Sequence, residues 1–142
     1  NLFLQLDILS LNGVITNFVK VASSRERPKY RFNSKKNKSN ETYKSFFSGH
    51  TSTAFSIGVS NAIILSEQYP EHSSKIWLTS IGIATATGYY RIASDEHYAS
   101  DVIAGSIVGS LVGYFLHKRN NSKKFKYSSS LNTLHFTIPI GK

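Results

Sequence analysis

Three clusters in this sequence combine side chains suited to acid–base chemistry and to binding an anion. In chain order they are Lys20-x6-Arg27-Pro28, Ser48-Gly49-His50 and Arg91-x5-His97-x3-Asp101. Together they supply three cations, two imidazoles, one carboxylate and a glycine-containing start of a helix. A set of this kind is suited to binding a phosphoryl group and transferring it.

Phosphoryl transfer gives each residue type in these clusters a task. Lysine and arginine neutralise phosphoryl oxygens, and a guanidinium group does so with two hydrogen bonds. The backbone N–H groups of Ser48 and Gly49 at a helix start form an anion site, to which the Ser48 hydroxyl can donate one more bond. One histidine attacks phosphorus while the other protonates the leaving oxygen. Asp101 lies one helical turn after His97, so its carboxylate can orient that imidazole and stabilise its cation.

Four apolar segments must position the clusters, and their periodicity predicts helices. In chain order they are residues 1–21, 46–66, 76–90 and 102–116. Ser48 or Thr51 can cap the second segment, Pro70 follows it, and Ser100 and Asp101 suit the first turn of the fourth. Since neighbouring helices of an antiparallel four-helix bundle alternate in direction, the three clusters are predicted to meet at one end of the bundle.

The composition of these segments favours a bilayer. A membrane-spanning helix needs about 20 apolar residues; the second segment has that length, and the third and fourth come close to it. Gly105, Gly109 and Gly113 lie on one face of the fourth segment, where they would let another helix approach closely, as in membrane helices. The alternative is that these glycines only reflect a tightly packed helix pair, since small residues are common in such pairs outside membranes as well. We expect an all-α bundle that is membrane-embedded, despite the low mean hydropathy of −0.21.

The net charge of +9 is unevenly distributed. Residues 25–44 contain eight lysines and arginines against two glutamates, which suggests an anionic partner such as a phosphorylated substrate, lipid headgroups or nucleic acid. No recognisable nucleic-acid fold surrounds this segment, so we expect no nucleic acid. The absence of cysteine excludes disulfides and cysteine-based sites. Asp95 and Glu96 precede His97, but an Asp-Glu-His run alone has no acceptable metal geometry, and we expect no metal.

In residue types and spacing, the three clusters resemble the signature of the type-2 phosphatidic acid phosphatase superfamily, which reads K-x6-RP, PSGH and SR-x5-H-x3-D. The resemblance implies hydrolysis of a phosphate monoester or pyrophosphate through a phosphohistidine, without metal or other cofactor. It implies that His97 is the nucleophile, His50 the general acid and Asp101 the partner of His97. The implied phosphate-binding residues are Lys20, Arg27, Ser48, Gly49 and Arg91.

The resemblance also implies a setting and a substrate. In a bilayer the substrate would be a lipid of the phosphatidic acid or polyprenyl pyrophosphate type, with the active site facing the periplasm or the cell exterior. Two positions depart from the signature: Phe47 replaces a proline and Tyr90 replaces a serine. Neither position has to supply a catalytic proton or charge.

Two other functions fit part of the sequence. A vanadium-dependent haloperoxidase shares the three clusters, although such enzymes are generally much larger. A non-enzymatic module could use the basic segment to bind nucleic acid or another anion. The remaining histidines, at positions 72, 117 and 135, are expected to be structural or solvated.

The domain organisation is simple. We expect a phosphatase domain over residues 1–126, with part of its N-terminal side missing because the sequence begins at Asn1. Residues 127–142 are expected to form a tail, in which residues 134–140 alternate like a short strand. Nothing in the sequence predicts the oligomeric state.

Overall fold

A computed structural model describes residues 2–31 and 38–132 of the chain, with side chains up to residue 122. The described residues form α-helices and two 3-10 turns, and no strand occurs among them. The α-helices are α1 (Leu2–Ser23), α2 (Pro28–Arg31), α3 (Gly49–Gln68), α4 (Ser73–Ala93) and α5 (Ala99–Asn132), and the 3-10 turns are Asn40–Tyr43 and Pro70–His72.

The four predicted helices are confirmed as α1, α3, α4 and α5, with capping close to what the sequence indicates. Ser48 is the N-cap of α3, and its Oγ accepts a hydrogen bond from the N–H of Thr51. Pro70 opens the turn that follows α3, and Asp101 lies in the first turn of α5. Helix α5 extends to Asn132, well beyond the predicted 102–116. The strand predicted over 134–140 lies outside the described residues.

The direction of the helices follows from the side chains that meet. Asn12 in the middle of α1 donates to the Thr53 hydroxyl near the start of α3 at 3.0 Å. Gln5, earlier in α1, donates to Asn61, later in α3, at 2.8 Å. The two helices are therefore antiparallel. Since α4 returns along α3 and α5 leaves again from the end of α4, the predicted up-down-up-down order is confirmed.

Helices α3 and α5 run parallel and touch at the backbone. A Cβ at Gly105 would lie 2.6 Å from the carbonyl oxygen of Ser48, and one at Gly109 only 2.1 Å from that of Ser52. Gly113 repeats the contact one turn later. No side chain larger than hydrogen fits at these positions, so the close approach predicted from the glycine spacing is confirmed.

The bundle leaves apolar side chains on its outside. On α1 alone, Phe3, Val14 and Phe18 are largely exposed. Two stretches of the described residues, Leu2–Arg31 and Ala99–Ser122, have the length and composition to cross a bilayer, with mean hydropathies of 1.4 and 1.5. Helix α3, whose interior is rich in buried serine, does not reach that hydropathy, although its length had made it the strongest candidate from the sequence.

Candidate active site

The site is built where α1 and α4 end and α3 and α5 begin. The described parts of the segment between α1 and α3, residues 24–31 and 38–48, lie at this end of the bundle and are held by backbone hydrogen bonds. The N–H of Arg27 donates to the Thr42 carbonyl at 2.9 Å, and the N–H of Ser45 donates to the Arg25 carbonyl at 2.9 Å. These bonds join the two ends of the segment to each other, and the backbone N–H of Lys29 ties it to the loop between α4 and α5 by donating to the Asp95 carbonyl at 3.0 Å.

His97 lies in the loop between α4 and α5, and its side chain is only 1% exposed. Its N–H donates to the carbonyl of Arg91 at 3.1 Å, which closes the loop. Its Nδ1 lies 3.7 Å from Oδ2 of Asp101, one helical turn further on. This distance is too long for a hydrogen bond, but it places Nδ1 beside the carboxylate. Nε2 is buried and has no hydrogen-bond partner among the residues described.

The carboxylate of Asp101 is fully buried and is held from three directions besides that of His97. The Ser45 hydroxyl donates to Oδ2 at 2.5 Å, and the Tyr98 N–H donates to the same oxygen at 3.1 Å. The Arg25 guanidinium binds Oδ1 at 2.5 Å and also packs 4.2 Å from the centre of the Tyr98 ring. A buried carboxylate with this many donors stays ionised and keeps a fixed orientation.

The surroundings of His97 set its charge. Burial lowers the pKa of its imidazole below the ordinary value; Asp101 opposes that effect, and the charges of Arg27, Arg91 and Lys20 lower the pKa further. The histidine is therefore neutral near pH 7. A neutral imidazole whose Nδ1 faces a carboxylate has its proton on Nδ1 and a lone pair on Nε2. This is the form that a nucleophile requires.

Glu96, the residue before His97, gathers the cations of the site. Its carboxylate accepts hydrogen bonds from Arg27 and Lys29 and lies 3.6 Å from Nη2 of Arg91. Burial alone would raise the pKa of Glu96, but the bonds from Lys29 and Arg27 outweigh it, and the pKa lies below its ordinary value. Glu96 is therefore an anion in the midst of predicted phosphate-binding residues.

A cleft of about 400 Å³ opens beside this cluster, between α1 and the start of α3. Lys20, Gly49 and His50 line it. A Cβ at position 49 would lie 2.9 Å from Cγ2 of Thr16 and 3.6 Å from Nζ of Lys20. Glycine at this position therefore lets α1 approach α3 and brings the lysine to the helix start. His50 is exposed to the cleft, whereas His97 is buried.

The structure thus brings all three predicted clusters to one end of the bundle, with one change at Ser48. Its N–H, predicted to face an anion, donates instead to the Asp101 carbonyl at 3.0 Å. Its hydroxyl, fully buried, accepts from the Thr51 hydroxyl at 2.9 Å. Ser48 therefore joins the starts of α3 and α5, and the first free N–H groups of α3 come after it. A direct contact of Ser48 with phosphate stays a prediction.

The two departures from the signature leave the site cluster unobstructed. Phe47 is 2% exposed and packs edge-on against Phe46, with ring centroids 6.2 Å apart. Tyr90 is 69% exposed and pairs with Tyr89 on the surface of α4. Its bulk therefore points away from Arg91 and His97.

Four residues at the site escaped the sequence analysis: Arg25, Ser45, Lys29 and Glu96. Arg25 and Lys29 had been counted only among the charges of the basic segment, and Glu96 had been considered only as a metal ligand and rejected. Two positions could have pointed to a role: Arg25 lies inside the x6 spacer of the first cluster, and Glu96 lies beside His97. Among the described residues, no group of three or more His, Asp or Glu side chains is arranged to hold a metal ion.

Comparison with known proteins gives two similar sequences. The chain is 39% identical over 69 residues to the lipid A 1-phosphatase of Porphyromonas gingivalis, an alignment that covers 49% of this chain and 15% of that protein. It is 28% identical over 134 residues to lipid phosphate phosphatase 1 of Arabidopsis thaliana, which covers 77% of this chain and 41% of that protein. The chain therefore spans less than half the length of either relative. No solved structure matches it.

The family model that matches the chain covers residues 2–124 and is that of the PAP2 superfamily. This range contains all four long helices through most of α5, and all three residue clusters, so it agrees with the geometry of the site. The chain belongs to the PAP2 superfamily.

Proposed function

We propose that this chain is a metal-independent phosphatase that hydrolyses a phosphate monoester or pyrophosphate of a lipid through a phosphohistidine at His97. The observation that best supports this is the buried imidazole of His97, with Nδ1 beside an ionised Asp101 and three cations near it. A metal-free site for phosphoryl transfer needs both a neutral nucleophile and fixed positive charge.

The proposed reaction has two steps. Nε2 of His97 attacks phosphorus and forms an N–P bond while the bond to the leaving oxygen breaks, and His50 donates a proton to that oxygen. Water then attacks the phosphohistidine, with His50 accepting its proton, and orthophosphate leaves. Asp101 stabilises the imidazolium character that His97 gains in both steps. Arg27, Arg91 and Lys20 neutralise the phosphoryl oxygens.

A lipid substrate is supported by the relatives and by the surface of the bundle. The two similar proteins are named as phosphatases of lipid A and of lipid phosphates. Apolar side chains line the outside of α1 and α5, which fits a protein in a bilayer. A lipid whose tail stays in the bilayer would present its headgroup to the cleft beside Lys20 and His50.

The decisive experiment measures phosphate release by the purified chain in detergent or vesicles. Substrates would be a phosphatidic acid, a polyprenyl pyrophosphate and nitrophenyl phosphate, each with and without excess chelator. We expect release from a lipid substrate that chelator leaves unchanged and that vanadate inhibits competitively. The proposal is wrong if no substrate is hydrolysed, or if chelator abolishes the activity and a divalent ion restores it.

We further propose that the site end of the bundle faces the periplasm or the cell exterior. Because the chain has no cysteine, single cysteines at Lys38, beside the site, and at Glu71, in the turn at the opposite end, report on the two sides. Both positions are exposed. In intact cells a membrane-impermeant maleimide should label Lys38→Cys and spare Glu71→Cys. The reverse pattern would place the site in the cytoplasm.

A further inference from the structure

The carboxylate of Glu96 occupies two of the three cations that the proposed function assigns to phosphate, Arg27 and Arg91. It accepts hydrogen bonds from Arg27 and Lys29 and faces Nη2 of Arg91 at 3.6 Å. The side chain of Arg27 is only 11% exposed, and its Nε also donates to the Glu41 carbonyl at 3.1 Å. An anion supplied by the chain itself therefore fills part of the electrostatic environment that a phosphoryl group needs.

The arrangement differs from that of a purely structural ion pair. Arg27 and Arg91, which Glu96 contacts, are also close enough to His97 for their charges to act on its imidazole, so the carboxylate and a phosphoryl group at Nε2 would draw on the same two cations. Its side chain is 19% exposed and so has a route to solvent. Nε of Arg91 is buried without a hydrogen-bond partner in the described part of the chain, which leaves this guanidinium with a free donor for a second anion.

We propose that Glu96 is an internal competitor for the phosphate-binding cations. It holds Arg27 and Arg91 in place when the site is empty, yields them to the substrate phosphoryl group, and takes them back as the product leaves. The inference rests on the proposed function and adds a task that the family signature does not assign to this position. As a consequence, orthophosphate, the product, binds more weakly than Lys20, Arg27 and Arg91 would bind it if Glu96 were absent.

Glu96 could compete with phosphate for the arginines, or it could only hold them in place, and these two roles predict opposite effects of removing its negative charge. If Glu96 competes, Glu96→Gln frees the guanidinium groups, and a phosphate dianion binds more tightly. If Glu96 only supports the arginines, the same change loosens them, and phosphate binds more weakly. The inhibition constant for orthophosphate separates the two cases, since a general loss of folding would lower turnover without tightening inhibition.

The test compares wild type, Glu96→Gln and Asp95→Asn for orthophosphate and vanadate inhibition and for KM. Asp95→Asn removes the same charge one residue away, and asparagine tolerates the positive φ of 54° found there. We expect Glu96→Gln to lower the orthophosphate inhibition constant about tenfold, as befits one charge-assisted hydrogen bond. KM should fall with it, and Asp95→Asn should stay near wild type.

Glu96→Asp provides a second variant if the glutamine variant is poorly folded. Its shorter side chain cannot reach all three cations, so inhibition should tighten in the same direction but by less. An inhibition constant that is unchanged or raised in Glu96→Gln or Glu96→Asp overturns the inference, as does equal tightening in Asp95→Asn. If wild type itself neither releases phosphate nor binds it, the proposed function fails instead.

Discussion

The two ends of this bundle are held together by different forces. At the far end, Leu4 and Ile8 of α1 pack against Val112 and Leu116 of α5, and all four are buried. At the site end most of the buried residues are polar or charged, among them Ser45, Ser48, His97 and Asp101, and Phe47 is an apolar exception. Apolar packing at one end is non-directional, whereas most contacts at the other depend on a particular donor and acceptor.

This contrast indicates a division of labour along the helix axes. Close packing of aliphatic side chains at the far end stabilises the fold through van der Waals contacts without constraining any reacting group. Buried polar groups at the site end stabilise little in net terms, but they fix orientation because an unmatched partner is costly. Substitutions at the two ends should therefore affect different measurements.

The largest effect is expected at the site end, from His97→Ala. Removal of the proposed nucleophile should reduce turnover by about 10⁴-fold or more and abolish the proposed phosphoenzyme on every substrate. His50→Ala should be severely impaired on alkyl phosphates, whose leaving oxygen needs a proton. It should still form phosphoenzyme from nitrophenyl phosphate, whose leaving group does not. Single-turnover quench with labelled substrate measures both; label on His50 would mean that the two roles are reversed.

The next largest effect is expected from Asp101→Asn, which should lower turnover by roughly 10²–10⁴-fold by analogy with triad carboxylates. Arg25→Gln is an informative companion, because it leaves the carboxylate in place and removes the cation 2.5 Å from it. A smaller loss in Arg25→Gln would show that the carboxylate itself, rather than its pairing with Arg25, sustains turnover. Near-normal turnover in Asp101→Asn would mean that another group orients the imidazole.

At the far end, Ile8→Ala should lower the free energy of unfolding without changing the turnover of the folded protein. Ile8 is completely buried, so its truncation should cost about 2–5 kcal/mol of unfolding free energy. The neighbouring Leu9, exposed on the same helix, provides a matched control whose truncation should cost far less. Denaturant titration in detergent and activity per folded molecule measure the two effects. A lower turnover in folded Ile8→Ala would contradict the division of labour.

The smallest effect concerns pH. His97 must be neutral to attack, and its pKa is held below the ordinary value by burial and by neighbouring cations. As pH falls through that lowered pKa, the imidazole is protonated, so the acid limb of kcat/KM should lie below the ordinary histidine value of 6.5. Since Asp101 raises the pKa, Asp101→Asn should move the limb to still lower pH. A limb above 6.5 would show that another group controls it.

The helices and their meeting point could be predicted from local signals. Apolar periodicity, the Ser48 cap and the spacing of Gly105, Gly109 and Gly113 are each readable within one segment, and the bundle follows from their order. The proximity of His97 and Asp101 could also be predicted, because the two residues are four positions apart, about one helical turn.

The partners of the catalytic groups could not be predicted in the same way. Arg25 reaches Asp101 across 76 positions of sequence, and Arg27 reaches Glu96 across 69. These pairings depend on the path of the segment between α1 and α3, which has no periodicity to predict it. For the same reason, the basic charge of that segment suggested an external partner, whereas several of its cations pair with carboxylates of the chain itself.

The contact between α3 and α5 has a consequence for motion. With backbones in contact at Gly105 and Gly109, and the Ser48 N–H bonded to the Asp101 carbonyl, the two helices move as one body. His50 lies in the first turn of one of them, and His97 adjoins the start of the other, so the residues proposed as proton donor and nucleophile keep a constant separation. The opening that the proposed lipid substrate requires then falls to α1, whose movement would shift Lys20 relative to these two histidines.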